Sequence, residues 1–243
     1  MTPPTASELY SALAETWPAA RTIDAGPWQL REGLGGGQRV SSAVAKSVVS
    51  EPDLDMAFDE MQSLGQPAIF MIREDDNSLD AWLEMRGLTV SDPTSLYVAP
   101  SSDLAQSYPI TTIIPSWPPL AIQREIWANG GVGDTRVAVM ERCPNPKTSI
   151  VTRIDDTPAA TVFLAKSGSI AMLHALEVRP SNRRLGVGEI ALRAAAKWAR
   201  DQGADWLALA VTKANTAANA LYQKLGMTPV SSYHYRRMPT GAA

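Results

Sequence analysis

Residues 170–178 read Ile170-Ala171-Met172-Leu173-His174-Ala175-Leu176-Glu177-Val178. Arg179-Pro180-Ser181-Asn182-Arg183-Arg184-Leu185-Gly186-Val187-Gly188 follows, and then a helical pattern from Glu189 to Arg200. The apolar run predicts a strand, the arginine–glycine stretch a turn, and the periodic stretch a helix. A strand–turn–helix of this kind offers bare backbone N–H groups to an anion. The glycines allow close approach, the helix N-terminus adds partial positive charge, and arginines supply charge-assisted bonds to phosphate. In the helix, Val187, Ile190, Ala191, Ala194 and Trp198 form one apolar stripe, and Glu189, Arg193 and Lys197 form a charged row opposite it. Gly203 ends the helix.

Working outward, residues 206–211 predict a further strand, which makes 170–211 a strand–helix–strand unit with parallel strands. Residues 215–225 predict a helix closed by Gly226, followed by strand-like segments at 227–230 and 232–238. Upstream lie a strand at 110–114, a helix at 120–129 and a second helix at 134–142 capped by Asp134. A hairpin at 149–153 and 159–165 turns at Asp155-Asp156 and makes the sheet mixed.

The first hundred residues predict a helix at 7–17 capped by Ser7, and a hairpin of 28–31 with 40–49 around the Gly33–Gly37 loop. A helix at 53–64, a strand at 68–72, a helix at 77–86 and two short strands within 89–98, broken at Pro93, complete that half. Composition turns to Pro, Ser and Asp over 99–107, which sets a boundary between domains 1–105 and 106–243. When Gly87 is slid onto Gly226, the strand at Ala68 falls on that at Leu207 without a gap, and Leu83 falls on Tyr222. No Arg/Gly turn precedes the first copy.

At 243 residues, 45% hydrophobic and 19% charged, the chain is ordinary globular protein with ample core. A net charge of −3 gives no reason to expect nucleic acid. One cysteine, Cys143, forms no internal disulfide, and two histidines make a structural zinc site unexpected. The N-terminal stretch lacks a signal-peptide pattern and no window reaches a membrane span, so the expectation is cytoplasmic.

The C-terminal half resembles the GCN5-related N-acetyltransferase superfamily. Arg183, Gly186 and Gly188 match its R/Q-x-x-G-x-G/A signature. Asn215, Ala218, Tyr222 and Gly226 match its N-x-x-A-x-x-x-Y-x-x-x-G-F signature, with Met227 where Phe is usual. The resemblance implies an α/β fold with a mixed sheet, complete in the C-terminal domain and degenerate in the N-terminal one. It implies acetyl-CoA as cofactor, its pyrophosphate on Arg183, Arg184, Leu185, Gly186, Val187, Gly188 and Glu189. The pantetheine would lie along Leu176, Glu177 and Val178, in a split between the strands ending at Val178 and Val211; Asn215, Ala218 and Tyr222 also line the cofactor site. A strand N–H would face the thioester oxygen.

Direct transfer to a primary amine, on a small molecule or a peptide, needs a proton for the departing thiolate and a base for the amine. Tyr222 matches the family's acid. His174 coincides with a catalytic histidine of arylalkylamine N-acetyltransferases, whereas Met172 occupies the position of another family base. Regular alternation puts Met172, His174, Leu176 and Val178 on one face and Glu177 on the other, where it is structural. His234 reads as sheet surface. The alternative is a non-catalytic CoA-binding or partner-docking module that keeps the fold. The acceptor amine, the acyl-chain preference and the oligomeric state are not written in the sequence.

Overall fold

The computed structural model describes residues 2–239, so Met1 and residues 240–243 of the expected domains lie outside the described residues. Helix α1 (Ala6–Thr16) is capped by Thr5 rather than Ser7. Thr5 accepts from the Glu8 N–H, and the Glu8 carboxylate takes the Thr5 N–H at 2.7 Å, so both orphan donors are satisfied at once. Strand β1 (Arg21–Ala25) hairpins with β2 (Trp28–Glu32), pairing Ala25 with Trp28. The sequence did not disclose β1, because only Ile23 and Ala25 are even half-buried and no apolar alternation marks it. The expected long strand at 40–49 shrinks to β3 (Val44–Ala45), antiparallel to β2. Its first residue, Val40, instead ends a 3₁₀ turn.

Helix α2 (Glu51–Ser63), capped by Ser50 and Asp53, leads to β4 (Ile69–Arg73) and α3 (Asn77–Met85). Strand β5 (Thr89–Pro100) is one strand, not two: proline removes only a donor, and the Pro93 carbonyl still accepts the Lys213 N–H at 2.6 Å. Next come α4 (Ser101–Leu104), β6 (Ile113–Ser116), α5 (Ala121–Asn129) and α6 (Asp134–Arg142), whose cap is Gly133 rather than Asp134. Lys147 Nζ closes the far end of α6 by donating to three carbonyls, those of Met140, Glu141 and Cys143. Strands β7 (Lys147–Ile154), β8 (Thr157–Ser167) and β9 (Ile170–Val178) meander. Helix α7 (Val187–Asp201), β10 (Trp206–Thr212), α8 (Thr216–Lys224) and β11 (Thr228–Arg237) complete the chain. β11 is continuous where two segments were expected.

The chain forms two compact units, and they do not follow a single cut at residue 105. The first comprises 2–18, 96–211 and 215–230; the second comprises 19–95, 212–214 and 231–239. Helix α1 belongs to the first unit because Leu9, Ala12, Leu13 and Trp17 bury there, with Trp17 edge-on to Phe163 of β8 at 6.1 Å. In that unit the strands run β5–β10–β9–β8–β7–β6, mixed in direction: β9 and β10 are parallel, β8 and β9 antiparallel. Helix α7 buries Leu192, Ala195, Ala196 and Ala199 against one face of the sheet, with Leu173, Leu207 and Leu209 in the same cluster. Small residues let helix and sheet approach closely. Helices α1 and α5 cover the other face of β8 and β9.

In the second unit β1, β2 and β3 are successively antiparallel, and a parallel bridge joins Ala43 to Phe70 of β4 across α2. Trp28, Leu54, Met61, Phe70 and Leu83 form its core.

Candidate active site

The site begins where β9 and β10 part. Their pairing runs from Trp206↔Ile170 to Leu209↔Leu173 and stops, although β9 continues to Val178. The break coincides with a bulge. Ala175 adopts φ 49, and the β8 register shifts so that Phe163 faces His174 while Thr161 faces Glu177. One extra residue on β9 between those partners reverses the alternation beyond it.

The reversal corrects the expected faces. Leu176 and Val178 turn toward α7, where they pack with its apolar clusters. Glu177 turns to the α1/α5 face, the same face as His174. Trp127 of α5 is fully buried, and its indole N–H donates to the Ala175 carbonyl at 2.8 Å, fixing the bulge. The tryptophan is therefore a buttress for the bulge.

Glu177 rests on the C-terminus of α5. A Cβ on Gly130 would lie 2.3 Å from the Glu177 Cδ, so the position admits only glycine while the carboxylate stays where it is. The carboxylate also meets Arg183 Nη2 at 3.1 Å, and its side chain is one-fifth exposed.

His174 is sealed among Trp17, Phe163 and Thr16, with its ring 5.0 Å from that of Trp17. Thr16 Oγ1 donates to the Ala12 carbonyl at 2.6 Å and lies 2.9 Å from His174 Nε2. The hydroxyl's one hydrogen is used on that carbonyl, so Nε2 is the donor and carries the proton. This is a hydrogen-bonded core histidine.

Tyr222 of α8 lies on the α7 face, 6% exposed, its ring 5.9 Å from Tyr97. Burial pushes its phenol up to about 12. The hydroxyl makes no hydrogen bond to the protein among the described residues and is not sealed, so it opens onto free space.

The turn from β9 to α7 leaves Arg183, Arg184, Leu185 and Gly186 exposed. Gly186 (φ 78) and Arg184 (φ 64) both take the left-handed conformation, which glycine adopts freely and arginine only at a cost of about 1 kcal/mol. The first full helical bond of α7 is Ile190 N–H to Gly186 O, which leaves the N–H groups of Val187, Gly188 and Glu189 without helical acceptors. Glu189 itself is tied to Arg193 at 3.1 Å and Lys224 at 3.0 Å. Asn215 caps α8, accepting from the Ala218 N–H at 3.2 Å, so its side chain serves the helix.

Cys143 and His234, which the sequence kept out of the chemistry, lie in other surroundings. Cys143 is buried, and desolvation pushes its thiol up, away from reactivity. His234 is half-buried against Asp80 at 2.9 Å, in the second unit.

A mixed sheet splayed at a bulge, with an Arg/Gly turn leading into a helix N-terminus, is the acyl-CoA N-acyltransferase fold. Residues 116–227 match the sequence model of the acetyltransferase (GNAT) family. The uncharacterized N-acetyltransferase YobR of Bacillus subtilis (strain 168) is 26% identical over 233 residues, 92% of this chain and 94% of that protein. A GCN5-related N-acetyltransferase from Kribbella flavida superposes with a TM-score of 0.73 at 21% identity, covering 97% of this chain and 96% of its own. A tandem GNAT protein from the clavulanic acid biosynthesis pathway gives 0.61 at 12% identity, covering 100% and 90%. The fold is that of the GCN5-related N-acetyltransferases, and residues 116–227 are similar to the acetyltransferase (GNAT) family.

Proposed function

We propose that the protein transfers the acetyl group of acetyl-CoA to a primary amine by direct attack in a ternary complex. The observation that carries this reading is the β9–β10 gap. Tyr222, with an open hydroxyl, stands on one face of the sheet beside it, and Glu177 reaches the other face through the bulge. The pantetheine arm would follow Leu176, Glu177 and Val178, using the strand N–H and C=O groups that β10 no longer pairs. The pyrophosphate would sit on the turn from Arg183 to Glu189, where the exposed arginines and the first N–H groups of α7 suit an anion.

Glu177 replaces His174 as the base. The histidine's Nε2 is committed to Thr16 and its ring is enclosed, whereas the Glu177 carboxylate is partly exposed. It accepts a proton from the incoming ammonium; the neutral amine attacks the thioester carbon, Tyr222 donates to the thiolate as the C–S bond breaks, and the second proton on the new amide nitrogen passes to the tyrosinate, restoring the phenol. Arg183, paired with Glu177 here, is also the first arginine of the pyrophosphate motif. Its transfer to phosphate would free the carboxylate to act as base.

We also infer that the second unit is a degenerate copy of the first. Its β1–β2–β3–α2–β4–α3 order repeats β7–β8–β9–α7–β10–α8, with the parallel Ala43↔Phe70 bridge where β9 meets β10. The link from Ala45 to Ser50 is short and lacks the Arg/Gly turn, so one cofactor per chain is expected.

Gly188→Asp tests the phosphate turn. A Cβ there meets the flexible Leu221 Cδ2 at 3.2 Å and makes an ordinary contact with Val178 Cγ2 at 3.9 Å, and a carboxylate in the first turn suits the helix dipole, so the variant should fold. Its charge, set against the pyrophosphate, should weaken acetyl-CoA binding by roughly tenfold or more in calorimetry. Unchanged affinity would place the phosphates elsewhere. The reaction itself is tested by a panel of amines, following CoA release from acetyl-CoA. Cofactor binding with no turnover on any amine would favour a binding module instead.

A further inference from the structure

The second unit holds a cluster of arginine and tyrosine side chains. The antiparallel register of β4 and β11 sets Tyr233 opposite Arg73 and Tyr235 opposite Met71, so these four side chains share one face. Both tyrosines are 3% exposed, their rings 5.5 Å apart and nearly perpendicular. Arg31 of β2 reaches across from its own strand. Its Nη1 donates to the Arg39 carbonyl at 3.1 Å and stands 4.0 Å from the Met71 sulfur. The Arg39 guanidinium is hydrogen-bonded to the hydroxyls of Tyr233 and Tyr235.

Two guanidinium groups therefore meet beside phenols and a thioether. Arg73 faces the same way but is taken up by Asp76 at 3.0 Å. Among the described residues, no carboxylate pairs with Arg31, and its Nε and Nη2 have no protein partner yet are not sealed from solvent. Burial pushes the Arg31 pKa down, opposed by Tyr235 and Tyr233 and helped by the Arg39 and Arg73 charges. One Nη anchored to the backbone fixes the plane of the fork, so little side-chain freedom is lost when its other edge binds a ligand.

We propose that the open Nε/Nη2 edge of Arg31, with Arg39, Tyr233 and Tyr235 beside it, binds a small organic carboxylate. The two N–H groups of that edge are parallel and spaced to meet both oxygens of one carboxylate. Inorganic phosphate shares the anionic-oxygen chemistry and is the comparison that separates fork geometry from charge alone.

The test is calorimetric titration of the full chain with acetate, succinate and inorganic phosphate at constant ionic strength, using the parent, Arg31→Gln and Arg31→Lys. Glutamine keeps a donor for the Arg39 carbonyl; lysine keeps the charge and loses the fork. Carboxylate should bind the parent and weaken by about tenfold or more in both variants, the scale of a lost charge-assisted pair. Arg86→Gln, which alters a surface ion pair with Asp55, should bind like the parent. The proposal is overturned by absence of carboxylate binding, by unchanged affinity in Arg31→Gln, or by phosphate binding as well as carboxylate with Arg31→Lys undiminished. A readout independent of any variant is modification of the parent by an arginine-selective dicarbonyl, mapped by peptide mass spectrometry. Saturating carboxylate should slow reaction at Arg31, and an unchanged rate there would equally overturn the assignment.

Discussion

Tyr222→Phe should lower kcat by about 10²–10⁴-fold and leave acetyl-CoA affinity nearly unchanged, the signature of a group that acts only in the transition state. The ring does the packing: it is 6% exposed, lies 5.9 Å from Tyr97 and shares a cluster with Leu209 and Val211, all of which phenylalanine preserves. The hydroxyl has no hydrogen bond to the protein among the described residues, so its removal orphans no partner and the melting temperature should hold. With the phenol raised to about 12 by desolvation, it stays protonated throughout any neutral assay and enters each cycle as a donor. Steady-state rates and calorimetric affinity, measured on the same preparation, separate the two effects. A parental kcat in Tyr222→Phe would remove the tyrosine from the chemistry and leave positioning to carry the transfer.

Glu177→Gln should produce a comparable loss in kcat, again about 10²–10⁴-fold, and should abolish the acidic limb of the kcat/KM profile against pH. Glutamine keeps the shape that fits over Gly130 and retains a weaker contact to Arg183, so the fold is spared; the exposed ion pair it removes is worth at most about 1 kcal/mol. A second substitution reaches the same group without touching it. Gly130→Ala puts a Cβ 2.3 Å from the Glu177 Cδ, forcing the carboxylate aside, and should lower kcat while acetyl-CoA affinity persists. His174→Gln is the counter-test. A histidine enclosed by Thr16, Trp17 and Phe163 should change stability more than the pH profile. If His174→Gln erases the acidic limb and Glu177→Gln does not, the base is the histidine, and the bulge serves only to shape the cofactor gap.

These two residues also mark the line between what the amino-acid order disclosed and what it withheld. The strand–turn–helix at 170–200, the parallel pair it creates and the glycine-closed helix carrying Tyr222 were legible because local physics decides them. Apolar periodicity, arginine and glycine in the turn and the Gly226 stop all act within a few residues of one another. The α1 cap slipped by two residues because Thr5 and Ser7 are both capping types, and only the Glu8 reach-back distinguishes them.

The choice of base was not local. Alternation along β9 is a period-two inference, and a single extra residue at Ala175 reverses it. That bulge is held by an indole N–H from Trp127, 48 residues earlier in the chain. Thr16, which occupies Nε2 of His174, comes from 158 residues away on a helix that packs with the far half of the chain. The arginine–tyrosine cluster at Arg31 likewise depends on β11 pairing with β4, which brings Tyr233 and Tyr235 to arginines some two hundred residues earlier in the sequence. Composition and spacing disclosed the strand and the turn that follows it. Which sheet face His174 and Glu177 occupy followed from long-range packing, because a side chain's face depends on strand register and its partners on which helix covers it.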